Sequence, residues 1–185
     1  MKRKSKYTLT GAIFLILILV LTYSVCFYRV NKKYPQTKTR IYTANEPVQE
    51  NGIEYTVLGS RFYTNKELRN LPHFPKESYG NGEKLITVEV KVKNVSDKPI
   101  EMEGDLLRME SIAWGNGVDM GARQYFNEAD DVGYFEIKPG EERQYVLPYT
   151  MIKEMFHKGE WKKAEDREYY LVISVYPERK IIRVL

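Results

Sequence analysis

Two periods of hydrophobic and polar positions divide the chain. From Tyr7 to Tyr28 no residue is charged, and the centre, residues 11–21, reads Gly-Ala-Ile-Phe-Leu-Ile-Leu-Ile-Leu-Val-Leu. These 22 residues, at about 1.5 Å each, make a helix of roughly 33 Å, enough to cross a hydrocarbon core of about 30 Å. In lipid the backbone must bond to itself, so the β-branched residues do not prevent a helix. Further on the period becomes two. Ile86, Val88, Val90 and Val92 alternate with Thr87, Glu89, Lys91 and Lys93, the mark of a strand with one buried and one wet face.

Other strand signals are shorter. Ile53, Tyr55 and Val57 alternate after the turn Glu50-Asn51-Gly52, and apolar runs stand at 100–102, 106–109, 112–114, 134–137 and 144–149. Residues 169–176 are apolar on both faces, as in a central strand, and 181–185 close the chain. Gly115-Asn116-Gly117 predicts a hairpin tip, and Lys138-Pro139-Gly140-Glu141 a turn. Thr64, with Glu67 three residues on, predicts a capped short helix over 65–71; residues 150–157 are a second helix candidate. Many short strands separated by turns point to an all-β sandwich or barrel. The polar stretch 29–47 contains Pro35 and Pro47 and no periodicity, and reads as a tether with an edge segment. The expected layout is a basic tail (1–6), a transmembrane helix (7–28), a polar tether (29–47) and one domain (48–185).

Leu85–Pro99 ends in Asn-Val-Ser-Asp-Lys-Pro, and Lys138-Pro-Gly-Glu-Glu-Arg-Gln-Tyr-Val-Leu follows some forty residues later. This pairing resembles the immunoglobulin-like extracellular domains of uncharacterised Gram-positive membrane-anchored proteins and lipoproteins. The resemblance covers about residues 50–185. It implies an immunoglobulin-like β-sandwich with one or two short helices, and it implies no particular reaction, because fold does not set function.

Charge locates the chain further. The formal net charge is +4, but residues 1–30 hold five basic residues and no acidic one. The remainder is nearly neutral and mixed in sign, which gives nucleic acid no footprint. Lys2, Arg3, Lys4 and Lys6 precede the span, against Arg29, Lys32 and Lys33 after it. The bias places the N-terminus in the cytoplasm and the domain outside.

The single cysteine, Cys26, lies in the span, so the domain has no disulfide and no thiol or cysteine-zinc chemistry. Lipidation at Cys26 and cleavage of a signal peptide are the rivals to an uncleaved anchor. Val25 stands where lipoprotein processing takes Gly, Ala or Ser, and no Ala-x-Ala precedes a cleavage point.

Candidate chemistry is sparse. His73 and His157 are isolated in loop contexts without ligand spacing. Glu128, Asp130 and Asp131 form the densest acidic run, a weak candidate for a cation, in a stretch without the EF-hand pattern. The glycine pieces 79–84 and 114–117 match no phosphate-binding loop. Tyr63, Phe74, Tyr79, Trp114, Tyr125, Phe126, Tyr134 and Trp161 either fill the core or form a contact surface. No cofactor, metal or catalytic constellation is expected. The expected function is a membrane-anchored extracellular binding module for a protein, peptide or envelope ligand. An accessory subunit of a transport or secretion complex is the second reading. A hydrolase using Glu128, Asp130 and Asp131 is the third.

Overall fold

The computed structural model describes residues 2–75, 80, 82–103, 107–128 and 134–184. They fall into two compact units, Met1–Thr37 and Lys38–Leu185.

The first unit is the helix α1 (Lys2–Lys33). Its stretch Gly11–Lys33 is long and apolar enough to cross a membrane. Phe14, Leu15, Leu17, Leu19 and Leu21 are all exposed, a surface that water penalises and lipid accepts. The polar side chains bond back to the helix. Thr22 Oγ1 donates to Ile18 O, Ser24 Oγ to Val20 O and Asn31 Nδ2 to Phe27 O, at 2.8–2.9 Å.

The second unit is a β-sandwich. Its elements run β1 (Lys38–Tyr42), β2 (Val48–Glu50), β3 (Ile53–Tyr63), α2 (Asn65–Arg69), β4 (Glu83–Asn94), β5 (Ile100–Glu103), β6 (Arg108–Ser111), β7 (Trp114–Asn116), α3 (Met120–Arg123), β8 (Tyr134–Ile137), β9 (Glu142–Ile152), β10 (Tyr170–Ser174) and β11 (Glu178–Arg183). One sheet has the order β1-β11-β10-β6-β7, the other β2-β3-β4-β9, and β5 pairs with β8 beside them. The period of two in β4 is realised: Ile86, Val88, Val90 and Val92 are fully buried. They meet Leu147 and Tyr149 of β9, and Met109, Leu171 and Ile182 of the facing sheet, in one core.

The two segments that carry the resemblance touch at Asn94, which is fully buried. Its backbone N–H donates to Glu141 O, and its C=O accepts from Gly140 N–H. Its side chain donates to Lys98 O at 2.7 Å and to Ile137 O at 2.8 Å, and accepts from Ser96 N and Ser96 Oγ. The Asn-x-Ser-x-Lys turn and the Pro-Gly-Glu turn are therefore one hydrogen-bonded corner. Nearby, Asn51 and Gly52 both have positive φ, 49° and 80°, as a two-residue hairpin between β2 and β3 requires. A Cβ on Gly52 would lie 3.1 Å from both Ile100 and Ser96.

Three expectations are corrected. The domain begins before residue 48: within 29–47, read as a tether with an edge segment, α1 continues to Lys33 and the edge segment is Lys38–Tyr42, paired parallel with Glu178–Ile182. Its lysine and arginine suit an exposed edge strand. The hairpin tip between β6 and β7 is Ile112-Ala113, enclosed by the pair Ser111 and Trp114, and Gly115 and Asn116 lie in the strand. Residues 150–157 are not a helix. β9 continues to Ile152 because Met151 and Ile152 still pair with Lys84 and Glu83, and only Lys153–Met155 makes a 3-10 turn.

Candidate functional site

The sandwich has two unlike ends. At one end Lys38 pairs with Glu178, and Lys180 of β11 bonds to Glu50 and Gln49 O beside the Asn51-Gly52 turn. At the other end β4 begins at Glu83, paired with Ile152. The 12 residues of β4, at about 3.3 Å each, separate the ends by roughly 35 Å.

A cleft of about 410 Å³ opens at the Glu83 end, lined by Phe74, Pro75, Glu83, Asp119, Gln124, Tyr125 and Thr150 among others. It is built on a small core of its own, Leu68, Phe74, Leu85 and Ala122. This second core explains why Leu85 is buried although it points away from the main one.

One wall follows from α2. Thr64 Oγ1 accepts from Glu67 N, and Thr64 N donates to Glu67 Oε2 at 2.8 Å, the capping box expected from the sequence. The Thr64 backbone N–H and hydroxyl hold the Glu67 carboxyl below its ordinary range. Leu68 then turns inward. Phe74 meets Tyr125 edge-to-face with centroids 4.9 Å apart, and Tyr63 meets Phe126 at 5.2 Å.

The other wall follows from α3 and the edge of β9. Asp119 Oδ1 accepts from Ala122 N at 2.9 Å, capping α3, and Asp119 Oδ2 accepts from Thr150 Oγ1. Asp119 N donates to Pro148 O at 2.8 Å, and Asn116 Nδ2 donates to Thr150 O at 2.9 Å. Asn127 Oδ1 accepts from Val146 N while its Nδ2 donates to Val146 O. Residues 116–127 thus meet both backbone groups of Val146 and the carbonyls of Pro148 and Thr150. Pro148 has no N–H to leave bare, which suits this edge. At the end of α3, Arg123 is fully buried, its guanidinium 5.5 Å from the Tyr145 ring.

Among the described residues, the chemistry of the cleft is therefore two aromatic rings, two carboxylates, two hydroxyls (one of them the phenol of Tyr125) and an amide. Glu83 Oε2 accepts from Gly80 N at 2.9 Å. Gln124 is exposed, its backbone N–H donates to Ala122 O, and its side-chain Nε2 donates to its neighbour Gly121 O at 3.1 Å.

The residues singled out from sequence fall elsewhere or join only in part. Glu128 is exposed, while Asp130 and Asp131 lie outside the described residues. Among the described residues no group of three His, Cys, Asp or Glu is placed to hold a metal. His73 and His157 are both exposed, on separate loops. Phe74 and Tyr125 reach the cleft. Trp114 packs in the main core, stacked near Phe156, and Trp161 lies under the Lys84 ammonium at 5.3 Å. Tyr134 is exposed, and Tyr79 lies outside the described residues. Glu83, Asp119, Gln124 and Thr150 were not anticipated; only Asp119, an aspartate three residues ahead of Ala122, carried a helix-cap signal.

Fold and cleft together define a β-sandwich domain with a loop-built recess at one end. The chain belongs to the family described as domain of unknown function DUF5028, whose profile matches residues 27–180. It is similar in fold to an uncharacterised β-sandwich protein from Clostridium difficile 630, at 16% identity and a TM-score of 0.50, over 81% of this chain and 97% of the other. It is also similar to a functionally unknown protein from Listeria monocytogenes EGD-e, at 12% identity and a TM-score of 0.50, over 75% and 79% of the two chains. Comparison with curated proteins gives no match.

Proposed function

We propose that this protein is a membrane-anchored, extracytoplasmic, immunoglobulin-like binding module that works by contact and not by catalysis. The observation that carries the reading is the polarity of the sandwich. The chain joins it at Lys38, and the cleft opens about 35 Å of strand away, at the opposite end. A recess built from loops at the end of a rigid sandwich is where such folds recognise ligands.

The immunoglobulin-like assignment is supported by strand order. β3, β4 and β9 take the places of strands A, B and E, while β11, β10, β6 and β7 take those of G, F, C and C′. Anchoring by α1 is supported by its apolar surface and inward-bonded polar groups. The basic residues Lys2–Lys6 favour an external domain. Binding over turnover is supported by the use of Asp119 and Thr150, which hold α3 and β9 together.

The test is photo-crosslinking on intact cells, with a photoreactive residue at Gln124 or, as control, at the exposed Asp97 of the opposite end. Adducts from position 124 and not from 97 are expected. Adducts from 97 alone, or hydrolysis of envelope material by the purified chain, would reject the reading.

A further inference from the structure

We infer that the end of the sandwich at which the chain enters is a lipid-docking tip, with Val175 and Tyr176 seated in the headgroup layer of the membrane that α1 spans. This rests on α1 being the anchor and is independent of the cleft. Lys38 and Glu178 are paired at the start of two parallel strands, so Thr37 and Pro177 leave the sheet at the same end. The loop 175–177, between β10 and β11, therefore stands beside the entry point, about one strand spacing of 4.8 Å away. Its two large side chains face solvent, Val175 61% and Tyr176 79% exposed. Val95, 42% exposed, stands at the same end, its N–H donating to Gly52 O.

Chain length argues for the partner. α1 runs five residues past Tyr28, about 7.5 Å, roughly the thickness of one headgroup layer. Four residues, 34–37, then separate Lys33 from Lys38, and fully extended they reach at most about 18 Å. Whatever the angle between helix and domain, the entry point stays within that reach of the bilayer surface. A folded partner of about 30 Å has no room beneath it, whereas lipid is already there. Tyrosine suits the place, because its ring is apolar and its hydroxyl is not, and it is enriched at membrane–water interfaces. A few side chains bury too little apolar area to hold a free domain on a membrane. The short connection makes the contact intramolecular, at an effective concentration of millimolar order, so a weak contact is enough.

The test puts reporters on the full chain in vesicles of mixed phosphatidylcholine and phosphatidylglycerol. Cys26, the single cysteine, is replaced as Cys26→Ser. A spin label is then attached at Tyr176→Cys, at Val175→Cys or, as control, at Ile112→Cys. Ile112 is 85% exposed on the β6–β7 hairpin at the far end of the sandwich. Two separate reporters cover the case in which one change disturbs the loop. Collision with oxygen, which concentrates in lipid, against a water-soluble nickel chelate reads the depth. The labels at 175 and 176 are expected to meet the chelate several-fold less often than the label at 112, at every protein-to-lipid ratio. A long Gly/Ser segment inserted after Thr37 should bring them back toward the control, because effective concentration falls as a linker lengthens.

Equal chelate access at 112, 175 and 176 overturns the inference, and so does shielding that the inserted segment leaves unchanged. Shielding that grows with the protein-to-lipid ratio assigns the tip to a second copy, and shielding on cells but not in vesicles assigns it to a protein partner; either result overturns the lipid assignment. A chain that fails to float with the vesicles rejects the anchor and this inference with it. A chain that floats while its 175 and 176 labels stay in water rejects the docking alone.

Discussion

Asn127 pairs with the backbone of Val146 as a neighbouring strand would: its Oδ1 accepts from Val146 N–H at 2.6 Å and its Nδ2 donates to Val146 C=O at 2.8 Å. One side chain thereby covers part of the β9 edge. Asn127→Ala should cost about 2 kcal/mol, two part-buried backbone groups losing their partners. It should also raise self-association, because a bared edge templates pairing with another chain. Chemical denaturation and sedimentation measure the two effects. An unchanged denaturation midpoint would show that other groups cover the edge.

The corner at Asn94 offers a second comparison. Asn94→Ala removes two donors and one acceptor from a fully buried position, and a loss of about 3 kcal/mol is expected. Asp97→Ala, three residues on and exposed, should stay within about 0.5 kcal/mol. Equal melting of the two variants would contradict the corner.

Val90→Asp should unfold the sandwich. Val90 is fully buried between the sheets, and an unpaired buried carboxylate costs several kcal/mol, comparable with a whole domain stability of about 5–15. Lys91, on the opposite face, is half-exposed and forms a 3.8 Å ion pair with Glu142. Lys91→Gln should change stability by under about 0.5 kcal/mol. Circular dichroism of the two variants separates the faces directly.

Both ends of the pH scale should weaken the domain, by different groups. Burial raises the Tyr149 hydroxyl well above its ordinary value of 10, and pushes those of Tyr55 and Tyr169 up to about 12. Their contribution is whole below pH 10 and is lost as pH rises through the folded values. Glu67 and Glu141 are shifted the other way, each first by a backbone N–H, of Thr64 and Lys138 respectively. Their contribution is present above the ordinary carboxylate value of 4.5 and is lost as pH falls below it. Melting temperature against pH should show both losses. A melting temperature that rose between pH 10 and 12 would contradict the tyrosine assignment.

What could be read in the sequence was what a single local period records. β4 was legible because one face meets the core and the other meets water. The capping box was legible because Thr64 and Glu67 act on each other at fixed spacing. The hairpin tip was misread because Gly115-Asn116-Gly117 looks like a turn. Asn116 is needed in the strand, where its amide reaches Thr150 O, and Ala113 takes the positive φ of 56° instead. The cleft was illegible for a different reason. Phe74, Glu83, Asp119, Gln124 and Thr150 come from separate segments, and the sheet pairing that gathers them leaves no spacing to count.

The pairing of β1 with β11 joins the first strand to the last, and Arg40 stands 138 positions before its partner Glu178. A ribosome delivers the chain in order, at about 5–20 residues per second. β1 therefore waits on the order of ten seconds before its neighbour exists. Its charged residues, Lys38 and Arg40, discourage a stranger from taking that place meanwhile. β3 and β4 can pair early, whereas the facing sheet cannot close until Glu178–Arg183 has emerged. A nascent chain that stalls before Glu178 loses the closing strand and leaves the opening one with nothing to zip against.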